Sequence, residues 1–320
     1  MYKNFLKSIY YSSCDGYLNF FHKGLISKNS LLKNQYENQR IFFLLTGSSI
    51  NHIDIPRLKG QFTFGLSFIF LNADINSIPL TFYSCLEPWR GYGKIEGNWP
   101  QKFLPTQGKK NKRKIYYNKI KEKYLNSNTI TFMNANNLYY LKKNGIINQS
   151  RDNIYFIRLK DDIKNLGHPD LELTKRINSG PGSFHHAIMT MIYMGFKEIY
   201  LCGAGYTYKP MYHFHFYDNF DFPKEIGKER AAQAIKKEII NQYGKDGVID
   251  YYGLLDDGDL FRGICVRKEK EYPKIFSESH IKINKYAKSQ GVKIINIIPD
   301  NFESPFFQSV SWDHVVNNIL

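Results

Sequence analysis

The chain is short of cysteine, of long apolar runs and of acid, and each shortage narrows what it can be. Only four cysteines occur, Cys14, Cys85, Cys202 and Cys265, with no CxxC and no paired spacing. That argues against a disulfide-built scaffold and points to a reducing, cytoplasmic compartment with buried thiols. No stretch approaches the roughly 18 apolar residues that span a bilayer. Residues 1–24 hold aromatics and lysines but no clean apolar core before a small-residue cleavage site, so they do not read as a signal peptide. They read as a helix carrying Phe5, Leu6, Ile9 and Tyr10, packed on the domain or lying at the inner membrane face. No DxD stands near an expected strand end; Asp161-Asp162 and Asp256-Asp257 read as loop charges. There is no internal repeat.

Acid is outnumbered, with 29 Asp and Glu against 44 Lys and Arg, for a net charge of +15. Such a surface suits acidic partners: nucleotide phosphates, anionic sugars or an anionic membrane. Charge alone does not make a nucleic-acid binder, and none is expected here. Hydrophobic residues at 42% and aromatics at 16% mark a globular chain, and 320 residues bury a substantial core.

The most organised stretch runs over 176–206. A Gly/Ser turn feeds an apolar helix over 184–194, Gly195 stops it, and a buried strand over 198–202 opens into Gly203-Ala204-Gly205. A turn feeding a helix N-terminus presents unpaired N–H groups and a positive dipole end, which suits a phosphate. A strand opening into glycines at its C-terminal end is where α/β proteins hold ligands. The same residues would equally make an ordinary helix–strand unit whose glycines only turn the chain.

Upstream, Ile41-Phe-Phe-Leu-Leu45 reads as a strand buried on both faces, ending at Thr46-Gly47-Ser48-Ser49. Strands are expected over 62–70 and 78–83, and short strands or helix pieces at 129–133, 138–141 and 154–159. Helices are expected over 228–243 and 280–289, with a closing strand over 292–298 and tail aromatics Phe302, Phe306, Phe307 and Trp312 packed on the core. Residues 86–165 read as a variable insertion or lid. It holds a basic run, Gly108-Lys-Lys-Asn-Lys-Arg-Lys114, and a polar helical stretch over 117–124. The expected architecture is a single Rossmann-like α/β domain over 41–320 with a mostly parallel sheet, preceded by an extension over 1–40.

Three separated stretches resemble one pattern. Phe43-Leu-Leu-Thr-Gly-Ser-Ser-Ile-Asn-His-Ile-Asp-Ile-Pro-Arg-Leu58 resembles the strand–GxGPSL–xxIDxxxL opening of glycosyltransferase family 42, the bacterial sialyltransferases, and of the related DUF115/Maf-like group. Arg176-Ile-Asn-Ser-Gly180 resembles their R-I-T-S-G turn, and Gly195-Phe-Lys-Glu-Ile-Tyr-Leu-Cys-Gly203 their GYKEIYLxG strand. His213-Phe-His215 and Lys293-Ile-Ile-Asn-Ile-Ile-Pro299 are similar to the DUF115-like continuation. The likeness spans 41–83 and 171–299.

The resemblance implies a Rossmann-like fold that binds a CMP-sugar donor without a metal or other cofactor, and a glycan or glycolipid acceptor. Thr46, Gly47, Ser48, Ser49, Ser179, Gly180 and Gly203 would cradle the nucleotide. Ser67 and Ser84 fall where the family has asparagines, in its second strand and after its third. Tyr206, Tyr208 and Tyr212 would assist the departing phosphate. The chain departs from the pattern at Thr46-Gly47-Ser48, for Asn-Gly-Pro, at both serines, and at Gly205, for Asp. A homo-oligomer is expected.

Direct displacement at a nucleotide sugar needs a base for the acceptor hydroxyl and donors for the leaving phosphate. His280, read as preceding a helix, is one candidate base; His213 and His215 are the others. His213, His215 and Asp218 could instead hold a metal. His186 would face the nucleotide or simply pack, and Arg176 would position phosphate or make a salt bridge. Two other classes remain open: a pterin-pyrophosphokinase-like enzyme, which would need acidic Mg²⁺ ligands, and a non-catalytic nucleotide- or glycan-binding protein.

Overall fold

Runs of apolar, β-branched and aromatic residues without alternation make strands that must be covered on both faces. Such runs build the centre of this protein: β1 (Arg40–Leu44), β7 (Glu198–Cys202) and β8 (Lys293–Ile298). The computed structural model describes residues 16, 18, 20, 22–72, 74–86, 112–147, 152–161, 171–179, 182–204, 272–298 and 306–320. To these strands it adds β2 (Thr63–Leu66), β3 (Phe82–Cys85), β4 (Ile130–Asn134), β5 (Ile154–Asp161), β6 (Arg176–Ser179) and β9 (Gln308–Ser311). They form one nine-stranded sheet in the order β6-β5-β4-β3-β2-β1-β7-β8-β9. Every pairing among them is parallel. The expected parallel α/β architecture is therefore present.

The described helices are α1 (Lys23–Ser27), α2 (Lys112–Ile120), α3 (Leu138–Lys143), α4 (Ser183–Tyr193), α5 (Tyr272–Ser289) and α6 (Trp312–Asn318). One face of the sheet, with Phe42, Leu44, Tyr83 and Ile295, lies under α1, the 3-10 turns after β1 and β2, α2, α3 and α6. The other, with Phe43, Phe64, Phe82 and Leu201, lies under α4 and α5. From β1 the chain steps outward through β2, β3, β4 and β5 with its connections on the first face. From β7 to β8 it steps the opposite way, with α5 on the second. Right-handed crossovers in two directions require this change of face.

Three expectations are corrected. The strand expected over 62–70 ends at Leu66, because Ser67 turns into the left-handed region at φ 49° and starts a 3-10 turn, Ser67–Leu71. The helix expected over 280–289 begins at Tyr272. The stretch expected to be a polar helix over 117–124 sends Tyr116, Tyr117, Ile120 and Tyr124 into the core. β4 and β5, which fall within 86–165, are interior strands of the sheet.

Residues 22–39 wrap from the first face to the second. Asn29 is fully buried, and its amide donates to Phe156 O and Leu173 O, both at 2.8 Å. It thereby pairs a β5 carbonyl lying ahead of Arg158, where β6 pairing starts. Further on, Asn34 N donates to Tyr193 O and Tyr36 N to Met194 O, capping α4. Gly195 ends α4 at φ 96°, and a Cβ there would stand 3.0 Å from the Asn34 Cα.

Candidate active site at the switch point

The elements after β1 cover the first face and α5, before β8, covers the second, so β1 and β7 flank the point where the sheet's winding reverses. Doubly wound sheets bind ligands beyond the C-terminal strand ends at such a point. The exits that meet here are Leu45-Thr46-Gly47 from β1 and Gly203-Ala204 from β7. Leu45 N donates to Cys202 O at 2.8 Å and Gly47 N to Gly203 O at 3.0 Å, so the pairing continues past the strands. Gly203 sits at φ 85°, and a Cβ on it would lie 2.8 Å from Leu45 O and 2.9 Å from the Ile50 Cβ. Only glycine allows the two exits to come this close. Thr46, Gly47 and Ser49 are half-buried just past β1. Ser48 opens the 3-10 turn Ser48–His52 that leads onto the first face. Burial raises the pKa of the Cys202 thiol, which keeps it protonated at the end of β7.

Ser67 and Ser84 exchange the places expected of them. Ser67 lies just past β2, its carbonyl accepting the Tyr83 hydroxyl at 2.6 Å. Ser84 is inside β3, fully buried, and its Oγ has no partner among the described residues. Asn296, in β8, is part of the Lys293–Pro299 likeness but was not among the expected site residues. It is 4% exposed with Oδ1 unpartnered, and its alternation with Ile294 puts it on the α4–α5 face. Its signal was an amide in a run of isoleucines.

Arg176 begins the edge strand β6 and donates to Leu159 O at 2.6 Å, while Ser179 ends that strand, in register with Asp161. Five strands separate β6 from β7 in the sheet, and α4 carries the chain back between them. α4 holds no Asp, Glu, Lys or Arg and is buried from His185 to Tyr193, so even its two histidines and Thr190 lie in the interior. It packs on β2, β3 and α5.

At the start of α4 an aromatic column rises from the sheet. Phe184 stacks on Phe43 with centroids 5.7 Å apart, and His280 stacks on Phe184 at 5.0 Å. His185 meets the His280 ring edge-on at 5.0 Å, and Phe306 and Phe307 close around it. His280 is 5% exposed in the third turn of α5, so the helix-end argument for keeping its ring neutral does not apply. Burial, then the neighbouring His280 and His186, drive the His185 pKa well below 6.5; a hydrogen bond with the Gly182 backbone works the other way. Burial alone takes His186 down to about 3. Both rings are therefore neutral at pH 7.

His213, His215, Tyr206, Tyr208, Tyr212 and Gly180 lie outside the described residues, as does Asp218. Among the described residues no three His, Cys, Asp or Glu side chains gather as metal ligands would.

The solved structures that resemble the chain are glycosyltransferases. One is the MAf glycosyltransferase of Magnetospirillum magneticum AMB-1, at 16% identity and TM-score 0.31 over 56% of this chain. The chain spans only 27% of that protein. Another is the sialyltransferase CstII of Campylobacter jejuni in complex with cytidine-5'-monophosphate, at 13% identity and TM-score 0.31 over 85% of each chain. A third, sialyltransferase CST-II with a trisaccharide acceptor and CMP, superposes at 12% identity and TM-score 0.26 over 85% of this chain and 86% of that one. No family profile and no curated sequence matches the chain. Superpositions this loose carry nothing about activity.

Proposed function

We propose that the chain is a glycosyltransferase that moves a CMP-activated acidic sugar, sialic acid or a related nonulosonate, onto a glycan or glycolipid. The observation that carries this reading is the meeting of Thr46-Gly47 with Gly203 at the switch point of the sheet. Two stretches chosen for their sequence, far apart in the chain, meet there through Gly47 N and Gly203 O. That is where a doubly wound sheet receives a nucleotide. In this reading the β1 exit cradles the nucleotide, and Ser179-Gly180 leads into α4 to complete the cradle.

The reaction is a single inverting displacement without a metal. A histidine takes the acceptor hydroxyl proton, the acceptor oxygen bonds to the anomeric carbon, and the bond to CMP breaks with its electrons leaving on the phosphate. Tyr206, Tyr208 and Tyr212 would donate to that phosphate. The base must reach an acceptor in solvent, and His280 is enclosed by Phe184, Phe306 and Phe307. This favours His213 or His215, which follow β7 in the chain.

A thermal-shift series with CMP, CDP, UDP, GDP and ATP, with and without Mg²⁺, tests the donor class through ligand linkage. Stabilisation by CMP without metal is expected. A shift confined to a diphosphate with Mg²⁺ would replace the donor assignment, and no shift with any nucleotide would leave a glycan-binding protein.

A further inference from the structure

Two of the stretches that cover the first face carry lysine and no acid. From Gly16 to Tyr36 there are Lys23, Lys28 and Lys33 and no Asp or Glu. From Lys123 to Arg151 there are Lys142 and Lys143 between the ends, and again no acid. The two stretches meet. Leu18 and Ile26 share a buried cluster with Leu138 and Leu141 of α3. Lys142 is near enough to His22 to add to the effect of burial in depressing that imidazole.

On the outside of this junction two large rings face solvent. Phe20 is 82% exposed and Tyr139 62% exposed. Tyr139 has Lys142 and Lys143 one helical turn on, in α3, and Lys23 follows Phe20 by three residues, at the start of α1. All three lysines are exposed, and none forms an ion pair among the described residues.

Aromatic rings beside ammonium groups suit the boundary of an anionic bilayer. The ring enters the headgroup layer, the lysine stem lies along it, and the charge meets lipid phosphate. We propose that this face docks on an anionic membrane, with Phe20 and Tyr139 in the headgroup layer and Lys23, Lys142 and Lys143 on the lipid phosphates. Single-stranded nucleic acid is the other polyanion to weigh. Its binders stack successive bases on rings set along one groove, whereas these two rings stand on separate helical elements. The surface lies on the face opposite α4 and α5, and the inference does not depend on sugar transfer.

Flotation with lipid vesicles tests it on the full chain. The protein should float with vesicles rich in phosphatidylglycerol and stay down with phosphatidylcholine alone. Each lysine contributes about a five-fold change in partition at low salt, so K23Q/K142Q/K143Q should bind roughly a hundred-fold more weakly. K285Q/K288Q/K293Q removes equal charge from α5 and the start of β8 and should stay within a few-fold of wild type. F20S/Y139S should lose the binding that remains at high salt. All variants should keep the wild-type melting midpoint, since the altered side chains are exposed. Failure of the wild type to float, or equal loss in the two lysine variants, would overturn the inference. Release of the protein from vesicles by single-stranded oligonucleotide, with the same residues required for binding it, would replace the membrane by nucleic acid.

Discussion

His186 makes stability depend on pH in a window where carboxylates are silent. Its ring is 1% exposed, and neither nitrogen has a hydrogen-bond partner among the described residues. Burial holds its pKa at about 3, against 6.5 in the unfolded chain. The unfolded state therefore binds the proton first. The stabilisation from a neutral ring is complete above 6.5 and is lost as pH falls from there toward 3. At pH about 5, roughly 1.5 units below the unfolded-state value, the stabilisation lost is about 2 kcal/mol at 1.36 kcal/mol per unit. His185 contributes with the same sign, and half-buried His22 more weakly. Glu172, held below its usual range chiefly by its bonds with Tyr193, the Thr174 backbone and Lys33 against the pull of burial, loses its contribution only below 4.5. Urea unfolding of wild type and H186L at pH about 7.5 and about 5 isolates the effect. Wild type should lose about 2 kcal/mol more than H186L between those pH values. Equal losses would refute the assignment of a buried, unpartnered ring.

G203A should cost about 2 kcal/mol or more, from a left-handed backbone and a Cβ pressed on Leu45 O. A change below about 0.5 kcal/mol in denaturant unfolding would mean the two exits are not in close approach. N29A should cost about 2–3 kcal/mol, since it leaves the Phe156 and Leu173 carbonyls without the amide. Hydrogen exchange should then report faster opening of β5 and β6, and unchanged exchange there would count against the clamp. S67G should raise the melting midpoint by relieving the φ of 49°. A lowered midpoint would show that the serine side chain matters more than the backbone.

The central strands were legible because their signal is direct: Ile-Phe-Phe-Leu and Ile-Tyr-Leu-Cys are apolar without alternation and bounded by charge or glycine. The helix expected over 280–289 starts eight residues earlier, at Tyr272. In the fold Ser279 is buried inside the helix, and Pro273 occupies the first turn, where its missing N–H costs nothing. The stretch over 117–124 reads as polar from Lys119, Lys121, Glu122 and Lys123, yet Tyr116 and Tyr117 are among the largest fully buried side chains. At the site, the glycines and the turn after β1 were readable as types needed for close approach. The aromatic column was not. Phe43, Phe184, His280 and Phe307 come from four separate elements, and no local spacing announces that they stack.

The position of β1 also governs the order in which the protein can be built. Its first partner, β2, follows it closely in the chain, but its second, β7, is synthesised only after β3, β4, β5 and β6. A nascent chain can therefore lay down one half of the sheet while the other edge of Arg40–Leu44, with its two phenylalanines, waits unpaired. Non-local parallel pairing of this kind is slow, and an apolar edge left open invites other chains. Expression that stalls before Glu198 should yield aggregates, whereas chains that reach β7 acquire the strand that seals the edge.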